Sequence, residues 1–177
     1  VFCANWLLIF TRQILKPLKF YHLIRKGIKK MTALMEIHAR LESIAYKATD
    51  NFCYGCYKVV EGDYCPECHS DDFMRHMDGV GVEYGTEWVI EELIKQHCEA
   101  IDDEELFDEM MDECYPEIEI GCCSWQPSYA MKELDPTAYR IGVSEHADSL
   151  VQDDQLYDLG GEYYQMFDIE EMIDELE

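Results

Sequence analysis

From residue 32 to residue 48 the apolar positions Leu34, Ile37, Leu41, Ile44 and Ala48 recur at three- and four-residue steps, the spacing of one helical face. Asp50-Asn51 ends that helix, which predicts an N-terminal helical segment over 31–50. Farther on, Gly79, Gly81 and Gly85 alternate with Val80, Val82 and Tyr84, the pattern of a short strand and turn over 76–85. Thr86 stands where an N-cap belongs for a helix over 87–100, whose apolar side is Trp88, Val89, Leu93, Ile94 and His97. Glu87, Glu91 and Glu92 lie toward its positive end, where the macrodipole favours them. Asp102 or Asp103 caps the next helix, with Leu106, Phe107, Met110, Met111 and Cys114 as a buried stripe that Pro116 stops.

Glu117 to Ile120 alternates as a half-buried strand does. Pro127-Ser128 opens a short helix through Leu134, and Asp135-Pro136 is a cap and first-turn pair for a helix that packs Ala138, Ile141, Val143, Ala147 and Leu150. Gly160-Gly161 marks a turn. Asp168 caps a final helix, 169–176, with Ile169, Met172, Ile173 and Leu176 inward. No internal repeat is evident, and the expected class is α+β: mainly helical, with short β elements.

Charge divides the chain. Residues 1–31 carry seven Lys or Arg and no acid, whereas residues 32–177 carry seven basic residues against all 38 acids, so the two parts are +7 and −31. Such a break marks segments of different origin or surroundings. In the first segment the apolar run Trp6 to Phe10 precedes the basic residues, the reverse of a secretory signal, and it is too short to span a bilayer. Three readings follow: the clipped end of a membrane anchor, a basic amphipathic surface helix, or upstream sequence ahead of a start at Met31. The third is favoured, because Arg25-Lys26-Gly27 is codable by a purine-rich tract just before Met31-Thr32-Ala33. A membrane role is expected only if residues 1–30 belong to the native protein.

Between the first helix and the glycine-rich stretch stand Cys53-Tyr-Gly-Cys56 and Cys65-Pro-Glu-Cys68. A CxxC turn presents two thiolates to one side, and two such turns complete a tetrahedral S₄ shell. The intervening residues 57–64 are just long enough for a hairpin turning at Glu61-Gly62-Asp63. Gly55 lets the first turn bring backbone amides close to the sulfurs, and Pro66 stiffens the second turn. A segment this small has almost no core, so the metal supplies much of its folding free energy. The other cysteines, Cys3, Cys98, Cys114, Cys122 and Cys123, read as small buried hydrophobes rather than a second metal site. Paired CxxC turns, with an odd cysteine total and no secretory signal, fit a reducing cytoplasm.

Residues 51–73 resemble the zinc-ribbon or zinc-knuckle class, in its short form with Cys-Pro-x-Cys as the second knuckle. The resemblance implies one structural zinc held by Cys53, Cys56, Cys65 and Cys68; zinc ranks above iron because rubredoxin-like sites have longer insertions between knuckles. His69 departs from the pattern, standing where ribbons often place Gly, which implies a less relaxed second turn. Ribbons frequently bind nucleic acid, but here Lys58 stands alone against Asp50, Glu61, Asp63, Glu67, Asp71 and Asp72, the wrong balance for neutralising phosphates. Tyr54, Tyr57, Tyr64 and Phe73 are expected to pack the hairpin rather than stack on bases.

Enzymatic signatures are thin. Asp102 to Glu105 is explained by a helix start, Asp153 to Tyr164 lacks the ligand alternation of an EF-hand, and no phosphate-binding glycine loop occurs. His38, His76, His97 and His146 are dispersed. The sequence is therefore read as basic segment 1–30, helix 31–50, zinc ribbon 51–73 and acidic mainly helical domain 74–177. The expected role is a cytoplasmic, non-enzymatic adaptor for a protein with a basic surface. The alternative is an acidic DNA-mimic inhibitor of a nucleic-acid-handling enzyme, with a small thiol or metal-dependent enzyme third. Small acidic proteins with an isolated ribbon look like accessory products of phages and mobile elements.

Overall fold

The computed structural model describes residues 34–177; the readings of the basic segment, Met31 and Cys3 lie outside the described residues. The chain divides into units Val1–Ser43 and Ile44–Glu177. Helix α1 is described over 34–47. Its face is shifted from the expected one: Leu41, Ile44 and Ala45 are buried, while Leu34 and Ala48 at its two ends are exposed.

The second unit is α+β, with small antiparallel sheets and five further helices among the described residues. β1 (Asp50–Cys53), β2 (Lys58–Val60), β3 (Met74–Met77) and β4 (Gly81–Glu83) form one sheet in the order β2-β1-β3-β4. Register is set by Phe52, which pairs with Val59 on one side and Met74 on the other. The strand and turn expected over 76–85 are thus the β3–β4 hairpin, and the sheet that carries the cysteines runs on past residue 73. Arg75 fastens this sheet to the end of α1. It is buried, donates to the Tyr46 and Thr49 carbonyls, to Thr49 Oγ1 and to Asn51 Oδ1, and lies 4.6 Å over the Tyr46 ring. A cation at carbonyls ending a helix is matched by the negative end of the macrodipole.

The remaining elements are α2 (Glu87–His97), β5 (Ala100–Ile101), α3 (Asp103–Cys114), the hairpin β6 (Ile118–Ile120) and β7 (Cys123–Trp125), α4 (Pro127–Leu134), α5 (Pro136–Gln152), the hairpin β8 (Leu156–Leu159) and β9 (Glu162–Gln165), and α6 (Met166–Leu176). The expected caps at Asp102 and Asp135 are present: Asp102 accepts from the Glu104 and Glu105 amides and Asp135 from Ala138. Thr86 occupies the N-cap of α2, but only its carbonyl is used, accepting from Val89 and Ile90. That helix stops at His97, because Cys98 turns extended and feeds β5, which pairs with β9 across Ala100↔Tyr164. Helix α6 begins two residues before the expected cap, so Asp168 lies within its first turn.

Helices α3, α4 and α5 pack on one another around Phe107, Tyr139 and Val143, with Met110, Met111 and Met131 against them. The Phe107 and Tyr139 rings meet edge-on at 5.5 Å, and the Tyr139 hydroxyl donates to Asp108 at 2.7 Å. Burial and that carboxylate push the Tyr139 phenol up to about 12. Gly142 makes the packing possible, since a Cβ there would lie 2.6 Å from Phe107 Cζ. Asp112 of α3 closes the bundle at the start of α4, accepting from the Ser128 amide at 3.0 Å and its hydroxyl at 2.9 Å. A second layer is formed by α2, α6 and the β5-β9-β8 sheet, whose buried residues include Ile94, Leu156, Tyr164, Ile169 and Ile173. Ile141, expected inside α5, is exposed; Tyr139 takes the inward place two residues earlier.

Candidate metal centre

Cys53 ends β1, Tyr54 and Gly55 turn, and Cys56 leads into β2, so the hairpin folds around the first CxxC pair itself. This corrects the expected hairpin over 57–64: Glu61-Gly62-Asp63 is instead the link from β2 to the second pair, held by the Asn51 side-chain amide on the Gly62 carbonyl at 3.1 Å. The backbone reverses at a metal knuckle because its direction is set by where the two sulfurs must point. The second pair closes on itself, with the His69 amide donating to the Cys65 carbonyl and the Cys65 amide to the Ser70 carbonyl, each at 2.8 Å.

The two knuckles match in backbone form. Tyr57 after Cys56 and His69 after Cys68 both adopt left-handed backbone, φ 52° and 59°. That is the conformation Gly favours, and in other residues it costs about 1–2 kcal/mol. The less relaxed second turn expected from His69 is found, and the first turn shares it.

The four sulfur atoms lie within 4.8 Å of one another. Cys53 and Cys68 Sγ are 3.5 Å apart, and Cys65 and Cys56 Sγ 3.8 Å. Bonds of about 2.3 Å to a tetrahedral zinc place neighbouring sulfurs about 3.8 Å apart, so the spacing suits one ion at the centre. The same separations far exceed the ~2.05 Å of a disulfide, and all four cysteines are free. Cys53 and Cys65 are 1% exposed and form the ribbon's buried cluster with Val60, against which Cys56 and Phe73 pack. Sulfur thus occupies the place of a core.

Electrostatics point the same way. The Cys68 and Glu67 amides donate to Cys65 and draw its thiol down to about 7, making it the readiest thiolate. At Cys53 the Cys56 amide pulls the same way, but burial and the neighbouring Cys68 and Cys65 sulfurs outweigh it and leave the thiol raised. Cys56 is pushed well up, first by the Cys68 sulfur and then by burial. Four sulfurs this close cannot all ionise against one another, and a dication at their centre reverses that preference. The Gly55 amide also donates to Cys53, as the sequence leads one to expect.

Lys58 on β2 pairs with Glu67 in the second knuckle, joining the two halves beside the sulfurs. The aromatic residues take the opposite course from the expected one. Tyr54, Tyr57 and Tyr64 are 57%, 68% and 65% exposed, and only Phe73 is half-buried. The reason is steric economy: Cys53, Val60 and Cys65 already fill the small interior, so the rings lie outside, Tyr54 on Tyr57 at 5.1 Å. Tyr84, also exposed, donates to Asp72 at 3.3 Å.

The remaining described cysteines divide. Cys98 is buried as expected, its thiol pushed up by burial, whereas Cys114, Cys122 and Cys123 are exposed. Cys114 ends α3 on its outer side, and Cys122 and Cys123 lie at the tip of the two-stranded β6–β7 hairpin, whose strand residues are all exposed. Among the described residues, the four ribbon cysteines form the single group able to hold a metal, and no helix is long and apolar enough to cross a membrane. Comparison with protein-family models, curated proteins and solved structures finds no match, and so offers no counterpart for the resemblance to phage and mobile-element proteins.

Proposed function

We propose that the protein is a zinc-stabilised, non-enzymatic interaction adaptor of the cytoplasm, whose partner is a protein with a basic surface. The observation that supports this reading is the inversion of the ribbon: its sulfurs are inside and its tyrosines outside. One zinc on Cys53, Cys56, Cys65 and Cys68 would replace an apolar core. Tyr54, Tyr57, Tyr64 and Tyr84 are then free to make contacts, and exposed tyrosines are efficient contact residues because they bring large area at little entropic cost. Asp63, Glu67, Asp71 and Asp72 around them select for cationic surfaces and against phosphates.

Affinity purification with the full chain tests this. The expected result is a protein partner retained by the wild type and lost from a Tyr54→Ser, Tyr57→Ser, Tyr64→Ser variant that still binds one zinc. Retention of the same partner by that variant, or by the metal-stripped chain, contradicts the reading.

A second reading, an acidic DNA mimic, draws support from α3. Glu105, Asp108, Glu109 and Asp112 line one open trough of about 690 Å³, and successive i, i+4 carboxylates stand roughly 6 Å apart along a helix. A mimic would compete directly with DNA for its enzyme, with affinity that falls steeply as salt rises.

A further inference from the structure

The four ribbon cysteines are alike as ligands and unlike in their access to solvent. Cys53 and Cys65, the first of each pair, are 1% exposed, Cys56 is half-buried and Cys68 is exposed. Position in the fold accounts for the difference. Cys53 ends β1, which lies between β2 and β3, and Cys65 packs with Val60. Cys68 stands in the run from Pro66 to His69, all of it exposed, and Asp71 and Asp72 beyond it are exposed too. Sulfur contacts run between the knuckles: Cys68 Sγ lies 3.5 Å from Cys53 Sγ, and Cys65 Sγ 3.8 Å from Cys56 Sγ. The most open residue of the site therefore touches one of its two most buried.

Three properties meet at Cys68. A metal ligand is held as the thiolate, which is the nucleophilic form of cysteine. Cys68 is also open to solvent, and a second sulfur, from Cys53, stands against it. Thiolate character, access and a neighbouring resolving thiol are what make a cysteine oxidisable by peroxide and recoverable afterwards. Cys114, Cys122 and Cys123 share the exposure, but among the described residues they belong to no group able to hold a metal.

We propose that Cys68 is the point at which hydrogen peroxide opens the ribbon, with Cys53 as the resolving thiol. The Cys68 thiolate attacks one peroxide oxygen and breaks the O–O bond; that oxygen stays on sulfur as a sulfenic acid, and hydroxide leaves. The Cys53 thiolate then attacks the Cys68 sulfur, forming the S–S bond and expelling the remaining oxygen as hydroxide. Two thiolates and one peroxide thus give one disulfide and two hydroxides, a two-electron oxidation. Closing the 3.5 Å gap to the ~2.05 Å of a disulfide asks for a small movement. It leaves only Cys56 and Cys65 for an ion that four thiolates had enclosed. A dithiol reductant reverses the bridge by exchange. Through the zinc this regulation rests on the adaptor reading and extends it: oxidation removes the metal that holds the exposed Tyr54, Tyr57 and Tyr64 in place.

The test uses the full chain with Cys3, Cys114, Cys122 and Cys123 each replaced by Ser, loaded with zinc and treated with hydrogen peroxide. Zinc release is followed with a metallochromic dye, sulfenic acid is trapped with dimedone, and bridged peptides are mapped by mass spectrometry. The expected result is dimedone on Cys68, a Cys53–Cys68 bridge as the first disulfide, release of the zinc, and recovery with dithiothreitol and added zinc. Cys68→His keeps a metal ligand and removes the open sulfur, so release should slow at least about tenfold, whereas Cys56→His should stay within about twofold of the parent rate. If Cys68→His fails to hold zinc, the map of the first bridge decides. A first bridge within one knuckle, Cys53–Cys56 or Cys65–Cys68, dimedone first on Cys56, or zinc retained after Cys68 is oxidised would overturn the inference and leave the zinc adaptor untouched. A parent chain that takes up no zinc fails the adaptor reading and this regulation together, and the metal count taken before peroxide is added tells that case apart.

Discussion

The ribbon and the α3–α4–α5 bundle solve the same problem with opposite materials. In the bundle, Phe107 and Tyr139 are inside, and Gly142 gives up its side chain so that Phe107 fits. In the ribbon, cysteine sulfur is inside and Tyr54, Tyr57 and Tyr64 are outside. A chain segment of three- and four-residue strands cannot bury enough apolar area to order itself. A metal held by the four sulfurs would remove that requirement, and the rings that a conventional core would consume lie at the surface. The bundle shows the complement: where packing supplies stability, the outer side of α3 carries carboxylates, Glu104, Glu105, Glu109 and Glu113.

The largest expected effect separates the two regions outright. Structural zinc in small modules binds with about 10–16 kcal/mol of apparent free energy, most of it folding free energy. Chelation, or Cys53→Ser, should therefore abolish amide protection in β1, β2 and β3 while the bundle keeps its thermal transition; amide hydrogen exchange with and without chelator reads both. Next in size is Phe107→Ala, which should cost the bundle about 3–5 kcal/mol in denaturant unfolding and leave metal stoichiometry untouched. Gly142→Ala should cost about 1–3 kcal/mol at the same place, because the added methyl meets the Phe107 ring. Smallest is His69→Gly, which relieves left-handed backbone in the second knuckle and should stabilise the ribbon by up to about 1 kcal/mol, seen as slower exchange at the Cys65 and His69 amides. If chelation melted ribbon and bundle together, the contrast between them would fail.

Local chemistry was legible in the sequence. Asp102 and Asp135 act on amides two or three residues away, Pro127 and Pro136 open their helices, and the CxxC pairs bring sulfurs together through turns of four residues. What lay beyond local reach was whether anything covers a face. Alternation in β6 fixes which residues share a side but not that the side is bare, and helical spacing in α3 put Cys114 in a stripe that ends before it. The β5–β9 pairing joins residues far apart in sequence, so no window of the chain announces it. Arg75 gave no signal because its partners are backbone carbonyls and small polar groups rather than a carboxylate. The position of the ribbon hairpin was missed because turn residues at 61–63 look like a reversal, whereas the chain reverses between Cys53 and Lys58, at the first CxxC pair.

The central claim, that four sulfurs around one ion stand in for a core, is tested most directly by native mass spectrometry coupled to thiol alkylation of the full chain. The expected result is one zinc per chain, with Cys53, Cys56, Cys65 and Cys68 protected while exposed Cys114, Cys122 and Cys123 react, and loss of that protection on chelation. A chain that carries no metal and whose four ribbon cysteines alkylate as fast as Cys122 and Cys123 would contradict it.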